Sequence, residues 1–345
     1  MSLLSGVSDF FGIDIGTTAV RLVQLRGSSG VKALVKYAYV PIDSKVAMSD
    51  ARADQQKLAQ SIKELVKQAQ MTTRNVAVGL PSNKVFSTVV DVDRLSGNEL
   101  AKSISYQADS LIPTPLNESK IDWALLGDSP ADKTKVEILL SSVTNSFIEG
   151  RLDMLESIGL NVIAFEPDST ALSRALAANT PAPQMILEIG SKSTDLVIIM
   201  NGAPHLIRAI STGMDSIIRS AAQNLNIDDA QAQQFISKFG LNKDKLEGQV
   251  YQAIIGTIDL LIGEIEKSIK FFETRYSSTK LDVIIVAGGA STLPEFPLYV
   301  ANKFKINVEI GNAWRNVSFT ADRQNELLAV SNQFAVAAGL AERTA

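Results

Sequence analysis

The chain alternates between short apolar runs and longer stretches whose apolar residues recur every three or four positions. Phe11 to Ile15, Ala19 to Leu25 and Val31 to Val40 have the length and alternation of strands, and Gly27-Ser28-Ser29-Gly30 has the composition of a hairpin loop. From Asp50 to Gln70, Leu58, Ile62, Leu65, Val66 and Ala69 fall on one helical face. Val76 to Leu80 is a short apolar strand stopped by Pro81. Three strands, a helix and a strand predict a mixed sheet with helices packed on it.

The texture changes after Pro81. Lys84 to Asp93 alternates like a strand, and Asn98 to Leu111 reads as a helix with Leu100, Ile104, Ala108 and Leu111 inward, ended by Pro113-Thr114-Pro115. Trp123 to Leu126 and Val136 to Val143 read as strands about a polar loop, Gly127 to Thr134, and Phe147 to Ile158 as a helix. This block has the look of a small α+β module inserted into a first domain. Val162 to Phe165 returns to a buried strand, followed by a helix from Asp168 to Ala178 with Asp168 as its cap. Thr180-Pro181-Ala182-Pro183 is the clearest linker. Asp215 to Tyr276 is then largely helical, its long member carrying a buried stripe of Val250, Ile254, Ile258, Leu261, Ile265, Ile269 and Phe272. Leu281 to Ala287 is a continuous apolar strand running into Gly288-Gly289, and Glu326 to Arg343 reads as a closing helix.

Composition narrows the chemistry. With 46% apolar and 20% charged residues over 345 positions, the chain has an ordinary globular profile of about two domain-lengths. A net charge of −4 without a block of like charge argues against a nucleic-acid partner. There is no cysteine and one histidine, His205, so Cys-ligated and multi-His metal sites are excluded. His205 lies in Asn201-Gly202-Ala203-Pro204-His205, which reads as a turn without a chemical role. No run approaches a membrane span and no secretory signal is evident, which points to the cytoplasm. Membrane contact is then expected only through a partner or a weak surface helix at Met1 to Phe11, a segment that reads more simply as a frayed lead into the first strand.

One turn is written twice. Asp14-Ile15-Gly16-Thr17-Thr18 leads into Leu22-Val23, and Glu188-Ile189-Gly190-Ser191-Lys192 leads into Leu196-Val197, at one constant offset. Each copy is strand, Gly/Ser/Thr turn, strand. Such a turn offers backbone N–H groups to an anion, and its glycine keeps a Cβ out of the way. Thr17, Thr18, Ser191, Ser193 and Thr194 add hydroxyls, and Arg21 and Lys192 add positive charge. Asp14 and Glu188 would repel a bare phosphate but suit a Mg²⁺ held through waters. A third element, Val286 to Pro294, breaks a buried strand into Gly288-Gly289 and a helix start, where backbone can lie against a ribose or purine.

Together these segments resemble the actin/Hsp70/sugar-kinase ATP-binding superfamily. Asp14 to Thr18 resembles its first phosphate loop, Glu188 to Thr194 its second, Val286 to Pro294 its adenosine loop, and Ala337-Ala338-Gly339-Leu340-Ala341 its closing helix. Phe165-Glu166-Pro167 resembles the segment that carries the group orienting the attacking water. Within the superfamily, Gly79-Leu80-Pro81-Ser82, Ser110-Leu111-Ile112-Pro113, Asp122-Trp123, Leu206 to Ile210 and Gly263 to Ser268 resemble the PilM family of type IV pilus assembly proteins, itself similar to FtsA. FtsA would continue into a basic amphipathic tail, whereas this chain stops at Ala345.

The resemblance implies an α/β fold, an actin-like (ribonuclease H-like) duplicated fold with a small α+β insert in the first half. It divides the chain into residues 1–81 with 161–185, the insert 82–160, residues 186–214 with 280–325, a helical nucleotide cap 215–279 and a closing helix 326–345. It implies ATP or ADP with Mg²⁺, metal contacts from Asp14 and Glu188, and catalytic roles for Glu166 and Glu188. Nucleotide contacts fall to Asp14, Gly16, Thr17, Thr18, Arg21, Gly190, Ser191, Lys192, Ser193, Thr194, Gly213, Glu264, Lys267, Gly288, Gly289 and Ser291. It further implies a cytoplasmic scaffold peripheral to the inner membrane. The scaffold would hold the N-terminal tail of PilN in a groove between the first domain and the insert, its shape set by ATP closing the two halves, reach PilO, PilP and the motor ATPases indirectly, and have scope for self-association. Glu188 for aspartate, Met214 for glycine and Lys267 for arginine depart from the family pattern and bear on hydrolysis more than on binding. Two other readings stay open: an FtsA-like polymerising protein, and a small-molecule kinase using Asp168 or Asp195 as base.

Overall fold

The computed structural model describes residues 9–27 and 30–344. The N-terminal reading at residues 1–8 and the Ser28-Ser29 tip of the hairpin loop lie outside the described residues.

Two sheets share one wiring. In the first, β1 (Phe11–Ile15), β2 (Ala19–Arg26) and β3 (Lys32–Pro41) form an antiparallel meander. After α1 (Ser44–Met48) and α2 (Arg52–Gln68), β4 (Asn75–Leu80) returns parallel to β1. In the insert, β5 (Val85–Asp93), α3 (Gly97–Leu111), β6 (Ser119–Asp128) and β7 (Lys135–Thr144) build a three-stranded sheet in the order β5-β7-β6, with α3 packed on one face. The chain then returns through α4 (Asn145–Ser157) to β8 (Asn161–Pro167), parallel to β4, and α5 (Asp168–Leu176).

The second sheet repeats the first. β9 (Gln184–Ile189), β10 (Thr194–Met200) and β11 (Ala203–Ile210) form the meander. Helices α6 (Met214–Leu225), α7 (Asp229–Phe239) and α8 (Gln249–Arg275) follow, and β12 (Val283–Gly288) returns parallel to β9. After α9 (Phe296–Phe304) comes β13 (Asn307–Ile310) beside β12. The strand orders β3-β2-β1-β4-β8 and β11-β10-β9-β12-β13 correspond position by position. One further strand, β14 (Val317–Ser318), pairs with β3 and so belongs to the first sheet, although residues 280–325 were expected with the second half. The apolar ring of Trp314, which packs beside Tyr37 of β3 at 5.9 Å, draws this segment across.

The chain ends in α10 (Gln324–Val330) and α11 (Ala335–Glu342). The expected single closing helix is therefore broken, by a tight turn at Ser331–Gln333. Its cause is Asn332, whose buried amide donates to the Gly288 carbonyl at 3.1 Å and to Ser291 Oγ at 2.8 Å. Helices α5 and α11 lie between the two sheets, in a core with Val23 and Leu25 on one side and Ile186, Val197 and Ile199 on the other. They approach so closely that a Cβ on Gly339 would stand 2.0 Å from the Ala171 carbonyl oxygen. The stripe on α8 is buried as its spacing predicts, against β9, β10, β12, α6 and α7. Among the described residues no helix is long and apolar enough to cross a membrane.

Candidate functional site

Both copies of the turn close in the same way. Gly16 N–H donates to the Ala19 carbonyl at 3.1 Å, and Gly190 N–H donates to the Ser193 carbonyl at 2.9 Å. Thr17-Thr18 and Ser191-Lys192 are left at the tips, and their own N–H groups take no part in the described backbone hydrogen bonds. The two tips face each other across a cleft of about 510 Å³ between the halves, within the usual range of small-molecule sites.

The cleft floor is acidic. Asp14, Asp168, Glu188 and Asp195 all line it. Hairpin register sets two of the pairings: Asp14 stands opposite Arg21, and Glu188 opposite Asp195. Arg21 answers Asp14 at 3.2 Å, yet burial still raises the Asp14 carboxyl above its ordinary value. No cation pairs with Glu188 or Asp195 among the described residues; Ser82 Oγ donates to Asp195 at 2.8 Å, and the charge of Arg21 offsets only part of the rise of Glu188. Burial, then the charges of Asp195 and Asp14, push Glu188 up to about 8, and burial pushes Asp195 up to about 6. Asp168 is raised well above the usual carboxylate range by burial and then by Asp14 and Asp195. One oxygen each of Asp168 and Asp195 is buried without a hydrogen-bond partner.

This donor set fits a hydrated divalent cation accompanied by an anion. Four carboxylates crowd together with Arg21 as their one paired cation among the described residues, while the turn tips above them offer N–H groups outside the described backbone hydrogen bonds. Among the described residues, no three acids converge into a cage of protein ligands. Magnesium does not need one, because it keeps waters and takes one or two carboxylates together with phosphate oxygens.

A family model described as type IV pilus assembly protein PilM matches residues 12–345. The chain belongs to this family. The PilM match runs through both sheets and the insert. A solved PilM–PilN type IV pilus biogenesis complex is 25% identical over 97% of this chain and 98% of its own, with a TM-score of 0.82. The ethanolamine utilization protein EutJ from Carboxydothermus hydrogenoformans (15% identical, 96% and 88% covered, TM-score 0.58) shares the fold. So does MreB5 of Spiroplasma citri bound to ADP (13% identical, 96% and 95% covered, TM-score 0.53). The architecture is thus actin-like and duplicated, with a small α+β insert in the first half.

In this PilM-family chain the structure brings Asp14, Gly16, Thr17, Thr18, Arg21, Glu188, Gly190, Ser191, Lys192, Ser193, Gly288 and Gly289 to the cleft walls. Lys192 is already engaged, pairing with Asp215 at 2.6 Å, and Ser191 Oγ donates to the same carboxylate at 2.5 Å. Thr194, Gly213 and Ser291 stand behind the walls as supports. Thr194 Oγ1 donates to the Thr212 carbonyl at 2.7 Å, and Ser291 Oγ to the Gly288 carbonyl at 2.7 Å. Gly213 lets α6 start against the second turn, where a Cβ would sit 2.5 Å from the Ser191 carbonyl oxygen.

Three expected residues are elsewhere. Glu264 and Lys267 pair with each other at 2.6 Å on the exposed face of α8, away from the cleft. The helical period fixes the buried face of α8, and these two lie off it. The cleft wall on that side is built instead by Met214 and Ile218 of α6 and Gln233, Ile236 and Ser237 of α7. Glu166 is turned away from the cleft and held by Arg174 at 2.6 Å and by Arg343. Two positions on, Asp168 occupies the cleft, and its carboxyl does not cap α5. Gly79 makes room for it: a Cβ there would meet Asp168 Oδ1 at 2.3 Å. His205 is on β11, buried, with Nδ1 2.9 Å from the Ala203 carbonyl oxygen and its ring 5.6 Å from that of Tyr276, so it is a core residue and not a turn residue.

Asp195 had a signal in the sequence. It holds, in the second copy, the place that Arg21 holds in the first. Gln233, Ser237 and Asn332 had none, since they reach the cleft only through the packing of α7 and the turn before α11.

Proposed function

We propose that this PilM-family chain is an ATP- or ADP-binding scaffold of the type IV pilus inner-membrane platform, on the cytoplasmic side. The observation that carries the nucleotide reading is the pair of identically closed turns facing one cleft over a Glu188–Asp195 pair with no salt-bridge partner among the described residues. Thr17, Thr18, Ser191 and Ser193 would hold the phosphates, Asp14 and Glu188 a hydrated Mg²⁺, and Gly288-Gly289 the nucleoside side. The metal would supply charge neutralisation between the acids and the phosphates. Any turnover would draw on Asp168 in place of Glu166.

The partner reading rests on a second cavity. A groove of about 540 Å³ runs between the insert and the first half, lined by Ala124, Leu126, Leu139, Phe165 and Pro167 and, from the second half, by Ala203 and Pro204. It suits an extended apolar segment, and the similarity to a PilM–PilN complex supports the N-terminal cytoplasmic segment of PilN as that segment. PilO, PilP and the motor ATPases would be reached through it. The division of the chain into halves, insert, helical cap and closing segment belongs to the same proposal.

Titration of a synthetic peptide of the PilN N-terminus tests the partner reading. Ala124→Glu, which puts a charge on the apolar groove wall, is expected to abolish binding while leaving the fold intact. Equal affinity in the variant would sink the groove assignment.

A further inference from the structure

The insert's sheet has one covered face and one uncovered face. Ile138 and Leu140 of β7 and Trp123 of β6 pack toward α3. Glu137, Leu139, Ser141 and Val143 alternate with them and so point the other way. At one end of this uncovered face lies the groove, opposite Phe165 and Pro167 of the first half and beside Ala203 and Pro204 of the second. At the other end the sheet meets the second half.

That second contact is built on charge. Asp91 of β5 and Glu137 of β7 stand directly opposite each other in register. Two carboxylates so placed repel, and no cation of the insert pairs with either among the described residues. Arg275, at the C-terminal end of α8, answers both. Its Nη2 lies 3.0 Å from Asp91 and 2.6 Å from Glu137, and its Nε donates to Glu137 at 2.8 Å. The Tyr276 hydroxyl lies 3.0 and 3.1 Å from the two Glu137 oxygens. Glu137 is only 2% exposed, so this seat accepts one orientation of the insert. Tyr276 packs in turn on His205 of β11. Toward the first half the ties are few. Helix α4 packs into the first half's core through Met154 and Leu155 and so belongs with that half, although the expected insert bounds of 82–160 included it. From the three-stranded sheet and α3 to the first half so defined, besides the two chain connections, the described residues contain one side-chain hydrogen bond, from Asn145 Nδ2 to the Asn117 carbonyl at 2.9 Å.

We infer that the insert rides with the second half of the molecule and not with the half whose chain carries it. The groove between insert and first half then changes shape whenever the two halves move about the cleft. The inference rests on the cleft being the nucleotide site, and it names how that site regulates the groove. A nucleotide that favours one arrangement of the halves favours the matching groove, and a groove occupant returns the same factor to nucleotide affinity.

The chain contains no cysteine, which makes paired spin labels clean. Tyr106→Cys on α3 and Leu260→Cys on α8 report insert against second half, and Tyr106→Cys with Lys63→Cys on α2 reports insert against first half. Tyr106 and Leu260 are 86% and 73% exposed and Lys63 is also exposed, so the labels leave the core untouched. Distances are measured by electron spin resonance in the full chain with and without Mg-ADP, and binding is followed by calorimetry on the same samples. The Tyr106–Lys63 distance is expected to shift on binding while the Tyr106–Leu260 distance holds. Binding heat with a fixed Tyr106–Lys63 distance, or a shift confined to Tyr106–Leu260, overturns this inference alone. Absence of binding heat overturns the nucleotide reading beneath it. Arg275→Gln is expected to broaden the Tyr106–Leu260 distribution, and an unchanged one would contradict the role of the clamp. Should that variant not fold, the two distance comparisons in the parent chain still decide.

Discussion

Glu188 and Asp195 stand opposite each other on β9 and β10 in the register that Asp14 and Arg21 occupy on β1 and β2. Duplication kept the hairpin and changed the sign of one residue. The first hairpin neutralises its own acid. The second leaves two acids facing a cleft with no cation paired to either among the described residues.

A pH dependence follows. Glu188 is raised to about 8 and Asp195 to about 6, both above their ordinary values, so the folded state holds protons that the unfolded chain has released. Stability of the ligand-free protein should therefore fall as pH rises from about 4.5 to about 8. Thermal melts across that range check this. Mg-nucleotide should flatten the slope, and so should Glu188→Gln without any ligand.

Asp195→Asn should raise ligand-free stability, on the order of 1–3 kcal/mol at pH 8, by relieving a raised carboxyl beside Glu188. The same change should weaken Mg-nucleotide binding. Denaturant melts and a titration on one preparation would show the two effects moving in opposite directions.

Gly79→Ala should drive a methyl against Asp168, since the new Cβ would stand 2.3 Å from Oδ1. The expected loss is about 1–3 kcal/mol of stability, with weakened nucleotide binding. In Gly79→Ala/Asp168→Ala the carboxyl is gone and most of the stability loss should disappear. A double-mutant cycle measures that coupling.

Glycines elsewhere separate close approach from mere permissiveness. Gly339→Ala would set a Cβ 2.0 Å from the Ala171 backbone oxygen between α11 and α5, where neither helix can yield cheaply. It should destabilise by several kcal/mol. Gly256 and Gly263, inside α8, have nothing within 4 Å of a Cβ. Alanine at either should stabilise by about 1 kcal/mol from helix propensity alone. Melts of the three variants check the contrast.

The legibility of the sequence followed the range of the forces involved. The hairpins, the long α8 stripe and the insert's strands were readable because each is fixed by local periodicity or turn chemistry. The two turns could be expected at a cleft because a two-residue tip leaves its N–H groups outside the hairpin's own hydrogen bonds. Glu264 and Lys267 were misplaced because periodicity tells which face of α8 is buried but not which helices wall the cleft. Glu166 and Asp168 exchanged places because β8 ends at Pro167 and α5 starts at Asp168, so the two acids do not share the face that a continuous strand would give residues two apart. The closing helix broke at Asn332, whose partners, Gly288 and Ser291, are distant in sequence.

The central claim is that the two turns bind a Mg-nucleotide from opposite sides of one cleft. Calorimetric titration of Mg-ADP into the parent chain, Asp14→Ala and Glu264→Ala tests it most directly. The account predicts saturable binding in the parent, a loss of about tenfold or more in Asp14→Ala, equivalent to ~1.4 kcal/mol, and no change in Glu264→Ala. Asp14→Ala binding as tightly as the parent, or Glu264→Ala losing as much as Asp14→Ala should, would contradict it.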